Sequence, residues 1–239
     1  MDSYFKVVLI EQTSNPQTCV YRALHQDYSE GFVMDSEVPT EAECGEIAVK
    51  QLLSGGRGHY GPFEHPQIIF NCGWFPHSVM QQVRTHRMGI SFDVQSFRYS
   101  GTRIAAVAEG LFDIEEVFYL RPAGFYSDRQ GKKYQYTLEQ RQEDIERCLD
   151  ASKHYALRIG QGLSEEHARG LIPFDVRQHW VLSGNARSIA HLIDLRSKFD
   201  AQLECQQLCD LIWPHFEAWM PAFAGWYKEN RLHKAKLAP

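Results

Sequence analysis

The residues best able to do chemistry in this 239-residue chain are concentrated between positions 81 and 100. Arg84, His86, Arg87 and Arg98 lie there among serine hydroxyls and aromatic rings. Arginine forks match phosphate oxygens two at a time, and aromatic planes stack on heterocycles. The stretch therefore has the groups that a site for a flat, phosphorylated ligand needs. A solvated basic helix followed by an ordinary strand would have the same composition.

The phase of these charges favours the ligand site. Pro76 suits the first turn of a helix, and at about 100° per residue Val79 and Val83 mark its apolar stripe. His86 and Arg87 fall close to the same stripe. Burying an imidazole and a guanidinium is costly unless partners are supplied. Either the helix has ended by His86, or these groups face a cleft that holds an anion.

A second candidate is Arg196, near the end of a helix that we expect to begin at Asn185. Its side chain falls on the apolar face of this helix, so it should be a ligand group or half of a buried ion pair. For one arginine taken alone, the structural ion pair is the safer interpretation. The opposite face of the helix collects three polar residues: Arg187, His191 and Asp194.

Apolar periodicity predicts the elements that must position these groups. We expect strands at 4–11 and 67–75, an extended segment at 91–100, one or two strands within 104–120 and a polar loop at 122–133. We expect helices at 17–30, from a capping box at Thr40 and Glu43 to 53, and at 164–169, 185–196 and 201–219. A long helix at 134–160 should make core contacts through Leu138, Ile145, Leu149, Tyr155 and Leu157.

Composition and charge limit the class of protein. Apolar residues make up 44% of the chain, charged residues 23%, and the net charge is −5, which argues against general nucleic-acid binding. No stretch approaches the roughly 20 apolar residues needed to cross a bilayer, so no membrane association is expected. The six scattered cysteines fit reduced thiols and a cytoplasmic location. Because no repeat or clear linker interrupts the sequence, we expect a single domain over residues 1–239.

Two glycine and histidine patterns suggest other functions. The run from Gly56 to Gly61 matches a dinucleotide-binding fingerprint, but it follows a predicted helix instead of a strand, so we interpret it as a flexible turn. A metal-dependent hydrolase built on His59, His65, His77 and His86 is an alternative enzyme, although no tight ligand spacing is present and no metal is our expectation. A nucleotide- or RNA-binding module using Arg84 to Arg98 is the non-enzyme alternative.

Four blocks of residues resemble the flavin-dependent thymidylate synthases, the ThyX family. The first is Thr85-His86-Arg87 with Ser91 and the run Ser96-Phe97-Arg98-Tyr99-Ser100. The other three occur in family order: Gly61 to His65, Glu166 to Arg169 with Pro173, and Asn185 to Ser188 with Leu195-Arg196 and Ala201-Gln202. Together the blocks cover roughly residues 40 to 220 and are highly specific.

The resemblance implies an enzyme with an α+β fold, in which a central, mostly antiparallel sheet is packed by helices and the last third of the chain is helical. It implies a homotetramer with active sites shared between subunits. The reaction would convert dUMP to dTMP, with methylenetetrahydrofolate as carbon donor, NADPH as reductant and FAD as hydride carrier. No enzyme nucleophile is implied, since Ser96 has no evident histidine-carboxylate relay and reads as a ligand hydrogen-bonder.

The resemblance also implies site residues. Those for FAD are His59, Gly61, Glu64, Thr85, His86, Arg87, Asn185, Arg187 and His191. Those for dUMP are Gln82, Arg84, Gln95, Ser96, Phe97, Arg98, Arg169 and Arg196, of which Arg196 would act in catalysis by polarising the uracil ring. The sequence departs from the family signature at Thr85, where the first arginine is replaced and Arg84 stands one position early. Val94 replaces the family's acid, and one extra residue separates Arg87 from Ser96.

Overall fold

Six strands and eleven α-helices form the part of the chain that the computed structural model describes, residues 1–234. The strands are β1 (Lys6–Gln12), β2 (Gln67–Pro76), β3 (Ile90–Val94), β4 (Gly124–Ser127), β5 (Lys133–Tyr136) and β6 (Arg177–Asn185). The helices are α1 (Pro16–Gln26), α2 (Glu41–Ala48), α3 (His77–Val83), α4 (Phe97–Ser100), α5 (Thr102–Ala108), α6 (Ile114–Val117), α7 (Leu138–Gly160), α8 (Glu165–Ala168), α9 (Ala186–Arg196), α10 (Leu203–Trp219) and α11 (Pro221–Asn230). A π-helical turn spans Val49–Leu53, and 3₁₀ turns span Val33–Asp35, Ser54–Gly56, Gly61–Glu64 and Arg169–Leu171.

The strands form one four-stranded sheet in the order β1-β2-β6-β3 and one antiparallel hairpin of β4 and β5. Helices precede and follow the strands along the chain, and three of them, α9 to α11, follow one another after β6. The α+β class predicted from the sequence is therefore confirmed. Among residues 1–234, no helix is long and apolar enough to span a membrane.

Local capping signals located several helices correctly. The Thr40 hydroxyl accepts a hydrogen bond from the Glu43 amide, and the Glu43 carboxylate accepts from the Thr40 amide, so the predicted capping box is present. Helix α2 then continues as the π-helical turn to Leu53, the end that the sequence indicates. The glycine run after it follows a helix, as expected, and ends in a 3₁₀ turn instead of a Rossmann helix.

The prediction for residues 91–120 was partly wrong. Strand β3 ends at Val94, and residues 97–100 form α4 instead of continuing the extended segment. Residues 104–120 contain α5 and α6 instead of strands. The prediction relied on alternating apolar and polar residues. The buried residues Ile104 and Val107 are instead three positions apart, which is the spacing of one helix face.

The polar loop predicted for residues 122–133 and the helix start predicted at 134 were also wrong, because Gly124–Ser127 and Lys133–Tyr136 pair as the β4–β5 hairpin. Its turn is closed by the Asp128 carboxylate, which accepts from the backbone amides of Gln130 and Lys132. Helix α7 consequently starts at Leu138, after a capping box of Thr137 and Gln140. Two core contacts predicted for α7 were wrong, because Leu138 and Leu157 are exposed, whereas Tyr155 is buried.

The chain divides into two compact units, and the first comprises Met1–Lys6, Cys72–Gln82 and Asp93–Trp180. Within it α5 packs on α7 around a cluster that includes Ile104, Val117 and Tyr155. Arg177 is 2% exposed, and its guanidinium donates to the carbonyls of Glu115 and Trp74 and to the Asp2 carboxylate at 2.7 Å. The rings of Tyr4, Phe5 and Tyr119 flank the same guanidinium.

The second unit comprises Val7–Asn71, Val83–Phe92 and Val181–Pro239. Helices α1 and α2 are joined through the Glu41 carboxylate, which accepts from the backbone of Gln17 and Thr18 at 2.7 and 2.8 Å. Helix α9 is joined to α11 through the buried Asp194, whose carboxylate accepts from Tyr227 at 2.9 Å and from Arg231 at 2.8 Å. This anchoring fixes the helix that carries Arg187, His191 and Arg196.

Candidate active site

The beginning of α9 is built by Asn185, the residue that ends β6. Its side-chain oxygen accepts from the Ser188 amide at 2.8 Å, which satisfies one of the free amides of the first helical turn. The Ser188 hydroxyl in turn donates to the Met88 carbonyl at 2.7 Å. Both Asn185 and Ser188 are buried, so the loop at Met88 is held directly against the start of the helix.

Gly89 allows this close approach. Its φ of +66° lies in the left-handed region that glycine adopts without strain. A Cβ atom here would lie 2.3 Å from the side-chain amide nitrogen of Asn185 and 2.4 Å from the Ser188 hydroxyl. Any other residue would therefore displace the capping network.

Arg187, in the first turn of α9, extends to the 3₁₀ turn that ends at Glu64. Its guanidinium lies 2.5 Å from the Glu64 carboxylate and over the Tyr60 ring, 5.7 Å from the ring centroid. Both charged side chains are about half exposed, at 37% and 50%. The pair therefore remains accessible to a ligand, and its net stabilisation is small.

Arg196, at the end of α9, is held by the segment that follows α3. Its Nε donates to His86 Nε2 at 3.0 Å, and Nη2 donates to the Thr85 hydroxyl at 3.0 Å. Helix α3 ends at Val83, so His86 and Arg87 lie beyond it, as the first of the two sequence-based alternatives requires. His86 turns inward and is 6% exposed, whereas Arg87 is exposed.

These bonds define the protonation state of His86. Since Nε2 accepts a hydrogen bond, the proton of the neutral ring is on Nδ1. Burial, the positive charge of Arg196 and the nearby His191 ring lower the pKa of His86 to about 4, which agrees with a neutral ring. The Nδ1–H group is buried and has no hydrogen-bond partner among the described residues. Seven other buried side-chain atoms in this part of the chain share this property, so the His86 donor supports a ligand site only together with the groups around it.

His191 lies next to His86, with 5.2 Å between the ring centroids. Burial lowers the pKa of His191. The negative charge of Asp194 raises this pKa, and the positive charges of Arg187, Arg196 and Arg231 lower it further. A ring of low basicity at this position is a neutral hydrogen-bonding group at physiological pH.

A cavity of about 220 Å³ opens beside the start of α9. Sequence reasoning had assigned four of its lining residues to the site and missed Met88, Gly89 and Ser188. The full lining is Glu64, Met88, Gly89, Asn185, Arg187, Ser188 and His191. Gly89 follows the Thr85-His86-Arg87 motif after one intervening residue, Met88. This glycine was the signal that could have indicated the missed part of the cavity lining.

Other residues predicted for the flavin site lie outside this lining. His59 and Arg87 are exposed, and Gly61 is the exposed first residue of a 3₁₀ turn. Thr85 is exposed and contacts Arg196. All nine residues of the predicted flavin set nevertheless belong to the second unit.

The residues predicted for the nucleotide are divided between the units. Gln82, Gln95, Ser96, Phe97, Arg98 and Arg169 belong to the first unit, and Arg84 and Arg196 to the second. Both Arg84 and Arg98 are exposed, and Arg169 is half-buried at the start of a 3₁₀ turn.

Within the first unit, Ser96 caps α4 through a 3.4 Å hydrogen bond from the Arg98 amide. The Arg98 guanidinium lies 2.9 Å from the Glu166 carboxylate, and both groups are exposed. The Phe97 ring is buried in the hydrophobic cluster, which leaves its backbone as the part available to a ligand. The Gln95 side-chain oxygen accepts from Arg103 at 3.1 Å, which turns the amide NH₂ of Gln95 the other way.

Two of the four histidines proposed for a metal site, His77 and His86, have other partners. His77 interacts through its two ring nitrogens with Gln178 and Gln81, each at 2.7 Å. His86 interacts with Arg196. Within residues 1–234, no group of three or more histidine, cysteine, aspartate or glutamate side chains is arranged to hold a metal ion.

Two solved structures share the fold. A UMP/dUMP methylase, PolB, from Streptomyces cacaoi bound with 5-Br dUMP superposes with a TM-score of 0.73 at 18% identity, over 95% of this chain and 96% of that one. Thymidylate Synthase X (ThyX) from Helicobacter pylori with FAD and dUMP superposes with a TM-score of 0.65 at 17% identity, over 91% and 97%. At these identities the likeness defines the fold.

Sequence comparison defines the family. The profile of the family described as "Thymidylate synthase complementing protein" matches residues 8–222. Flavin-dependent thymidylate synthases from Halobacterium salinarum and Haloarcula marismortui are each 31% identical to this chain, over 254 and 251 residues. The alignments cover 98% of this chain and 100% and 99% of the relatives. The chain belongs to the family of flavin-dependent thymidylate synthases.

Proposed function

We propose that the protein converts dUMP to dTMP, taking the carbon from methylenetetrahydrofolate, with NADPH as reductant and FAD as hydride carrier. The observation that carries this proposal is the polar cluster around α9. There the start of the helix, the Arg187–Glu64 pair and the buried His86 Nδ1–H group occur in the same unit as a cavity of about 220 Å³. These groups are suited to a polar, anionic cofactor.

The residues present fit FAD. A diphosphate is favoured by the helix start at Asn185 and by the guanidinium of Arg187, which match anions through amide and fork donors. The buried His86 donor offers a hydrogen bond to a ring heteroatom. The cavity is smaller than a typical ligand pocket of roughly 300–1,000 Å³, so it would hold only part of FAD, and His59, Gly61, Thr85 and Arg87 would contact the remainder at the surface.

The nucleotide would bind through a separate set of residues. Arg98 and Arg169 supply forks for the phosphate, and Ser96 and the backbone of Phe97 supply hydrogen bonds at the start of α4. Gln82, Arg84 and Gln95 would complete this set. The NH₂ group of Gln95 would donate, because its oxygen already accepts from Arg103.

Arg196 would act on the base. A guanidinium beside N3 and the carbonyl oxygens stabilises the anionic form of uracil and so raises electron density at C5, where the new carbon–carbon bond forms. As that bond forms, the bond between the transferred carbon and the folate nitrogen would break, the folate would leave as tetrahydrofolate, and the C5 proton would be released. When bound, the flavin supplies the hydride that reduces the transferred carbon to a methyl group. The protein's own task is placement and electrostatic stabilisation.

The remaining parts of the proposal concern assembly and location. We propose a homotetramer in which subunits share active sites, a single functional domain over residues 1–239, and action in the cytoplasm without nucleic-acid partners. Size-exclusion chromatography with light scattering would test the tetramer against the 27.6 kDa mass of one chain.

The absorption spectrum is the first test. The purified protein should be yellow or take up added FAD, and it should oxidise NADPH and form dTMP only when dUMP and methylenetetrahydrofolate are both present. Arg187→Gln should weaken FAD binding roughly tenfold or more, because it removes a charged fork. Arg129→Gln, at an exposed arginine outside the cluster, is the matched control.

Three outcomes would contradict the proposal. A colourless protein that takes up no FAD would exclude a flavoenzyme. Tight binding of dUMP or RNA without flavin uptake and without NADPH oxidation would indicate the binding module. Hydrolysis that depends on added divalent metal, abolished by replacing His65 and His86, would indicate the hydrolase.

A further inference from the structure

Two adjacent residues, Thr85 and His86, supply acceptors to one edge of the Arg196 guanidinium. Nε donates to His86 Nε2 and Nη2 to the Thr85 hydroxyl, both at 3.0 Å. Two bonds from one edge of a planar fork restrain both its position and its plane.

We propose that Thr85 and His86 position Arg196, and that the threonine at position 85 gives this chain a second acceptor for the guanidinium. The inference rests on the proposed function, in which Arg196 polarises the uracil ring. Where the family signature has an arginine at this position, no acceptor would be offered, since a guanidinium only donates. The hydroxyl of Thr85 can accept from Arg196 without introducing a like charge.

The chemistry of His86 fits the same role. An imidazole accepts at Nε2 only while it is neutral, and the ring of His86 is buried and adjoins Arg196, so protonation is opposed on two grounds. His191 is the other titratable group against this ring. Protonating either ring would add a positive charge beside Arg196, so both favour the neutral acceptor.

The backbone that carries Arg196 is also fixed. Asp194 lies two residues earlier in α9 and is held by Tyr227 and Arg231 of the C-terminal segment. With the helix anchored there and the guanidinium edge held by Thr85 and His86, the side chain is preorganised before a ligand binds. Preorganised donors contribute most where charge develops during the reaction.

The test compares Thr85→Val with Thr85→Ser. Valine keeps the shape of threonine but removes the acceptor, and serine restores it. We expect Thr85→Val to lower kcat by roughly ten- to hundredfold, the range for losing one hydrogen bond to a charged group, while the dissociation constant of dUMP changes less than about threefold. Thr85→Ser should recover most of that loss. Thr102→Val, at an exposed threonine that starts α5, is the matched control.

A second measurement does not depend on turnover. In the protein without flavin or nucleotide, NMR of labelled arginine and histidine side chains should show a protected Arg196 Nε–H and a His86 ring protonated at Nδ1. Thr85→Val should broaden or shift the Arg196 signals, and Thr85→Ser should restore them. Because Thr85 is exposed, the valine variant is expected to fold, which circular dichroism would verify.

The outcomes separate the two proposals. If the wild-type protein takes up no FAD and forms no dTMP, the proposed function fails, and the NMR measurement alone decides whether Thr85 and His86 hold the guanidinium. If the wild type is active and Thr85→Val matches it in kcat, or leaves the Arg196 signals unchanged, the positioning role is wrong. Equal losses in Thr85→Val and Thr85→Ser would also overturn it.

Discussion

Two arginines in this molecule have opposite surroundings. Arg177, in the first unit, is 2% exposed, and all three of its guanidinium nitrogens donate to protein acceptors, including the Asp2 carboxylate. Arg196, in the second unit, is half-buried, and it donates to the neutral imidazole of His86 and the hydroxyl of Thr85. Next to it, the buried Nδ1–H of His86 has no acceptor among the described residues.

The difference separates structure from function. Around Arg177 the charge is balanced by a carboxylate, carbonyls and aromatic rings. Around Arg196 the cluster supplies a buried donor that the described protein leaves unmatched, and a cavity lies by the same helix. Arg103 Nε and Trp180 Nε1 in the first unit are also buried without a partner among the described residues, so the ligand assignment rests on the cavity and the charged groups of α9 together with His86.

The largest effect is expected from Arg177→Met, because it leaves Asp2 and two buried carbonyls without their donor. Breaking a buried, hydrogen-bonded ion pair costs about 3–5 kcal/mol. Urea unfolding should show this loss in the free energy of unfolding, whereas Arg129→Met, at an exposed position, should change it by less than about 0.5 kcal/mol. If Arg177→Met were as stable as the wild type but inactive, Arg177 would have a role in function and not in structure, and the distinction drawn between it and Arg196 would be wrong.

Arg196→Ala should give the opposite result. Removing one preorganised donor to a developing charge typically costs about 10²–10³ in kcat, so most dTMP formation should be lost. FAD should still bind, because the Asn185–Arg187 end of α9 is untouched. Near-normal turnover of dUMP would exclude the role of Arg196 in polarising uracil. A variant whose absorption spectrum shows no bound flavin would instead assign Arg196 to cofactor binding.

The pH dependence of stability should reflect a buried neutral histidine in each region. Burial lowers the pKa of His86 and of His179 to about 4, from an ordinary 6.5, with Arg196 and Arg103 respectively adding to the effect. Between these values the unfolded chain binds protons that the folded protein does not, so stability falls as the pH decreases from about 6.5 to 4 and then levels off.

His86→Gln should reduce this dependence, by up to about 3 kcal/mol across the window, since one pKa unit corresponds to about 1.4 kcal/mol. His167→Gln, at an exposed histidine, should leave the slope unchanged. Thermal unfolding at intervals between pH 4 and 7 would measure both. An identical slope in His86→Gln and the wild type would mean that His86 titrates normally and is not held as a neutral acceptor.

Local chemistry made much of this site predictable. The helix that starts after Asn185 and reaches Arg196 follows from a capping residue and a 3.6-residue apolar pattern, both properties of a short segment. The order of the four motif blocks indicated the family, which the comparisons confirm. The roles of the individual site residues remain predictions.

Long-range contacts explain what the sequence did not predict. Helix α4 forms where an extended segment was expected, because Phe97 is drawn into the hydrophobic cluster and Ser96 caps the turn. The β4–β5 hairpin depends on cross-strand pairing such as Tyr126 with Tyr134, which no single segment reveals. Gly89 was missed for the same reason, since its importance comes from Asn185, which is distant in sequence.

Gly89→Ala tests that long-range contact. A left-handed φ costs an ordinary residue about 1–2 kcal/mol, and the overlap with Asn185 and Ser188 should add about 1–3 kcal/mol. Gly110→Ala is the matched control, because Gly110 has a φ of +72° and no atom within 4 Å of the added Cβ. The difference between the variants isolates the close approach. Gly89→Ala should also weaken FAD binding. If Gly89→Ala and Gly110→Ala were equally stable and bound FAD equally well, the capping network at Asn185 would have no part in the cofactor site.

The smallest effect is expected from Ser96→Ala, which asks whether the first unit contributes chemistry or only binding. The Ser96 hydroxyl caps α4 at 3.4 Å, so its loss should cost about 1 kcal/mol or less and weaken dUMP binding several-fold while dTMP is still formed. Ser164→Ala is the matched control, because Ser164 caps α8 with the same 3.4 Å bond. It should lose similar stability with a smaller change in dUMP affinity. Complete loss of turnover in Ser96→Ala with intact dUMP binding would instead make Ser96 a nucleophile.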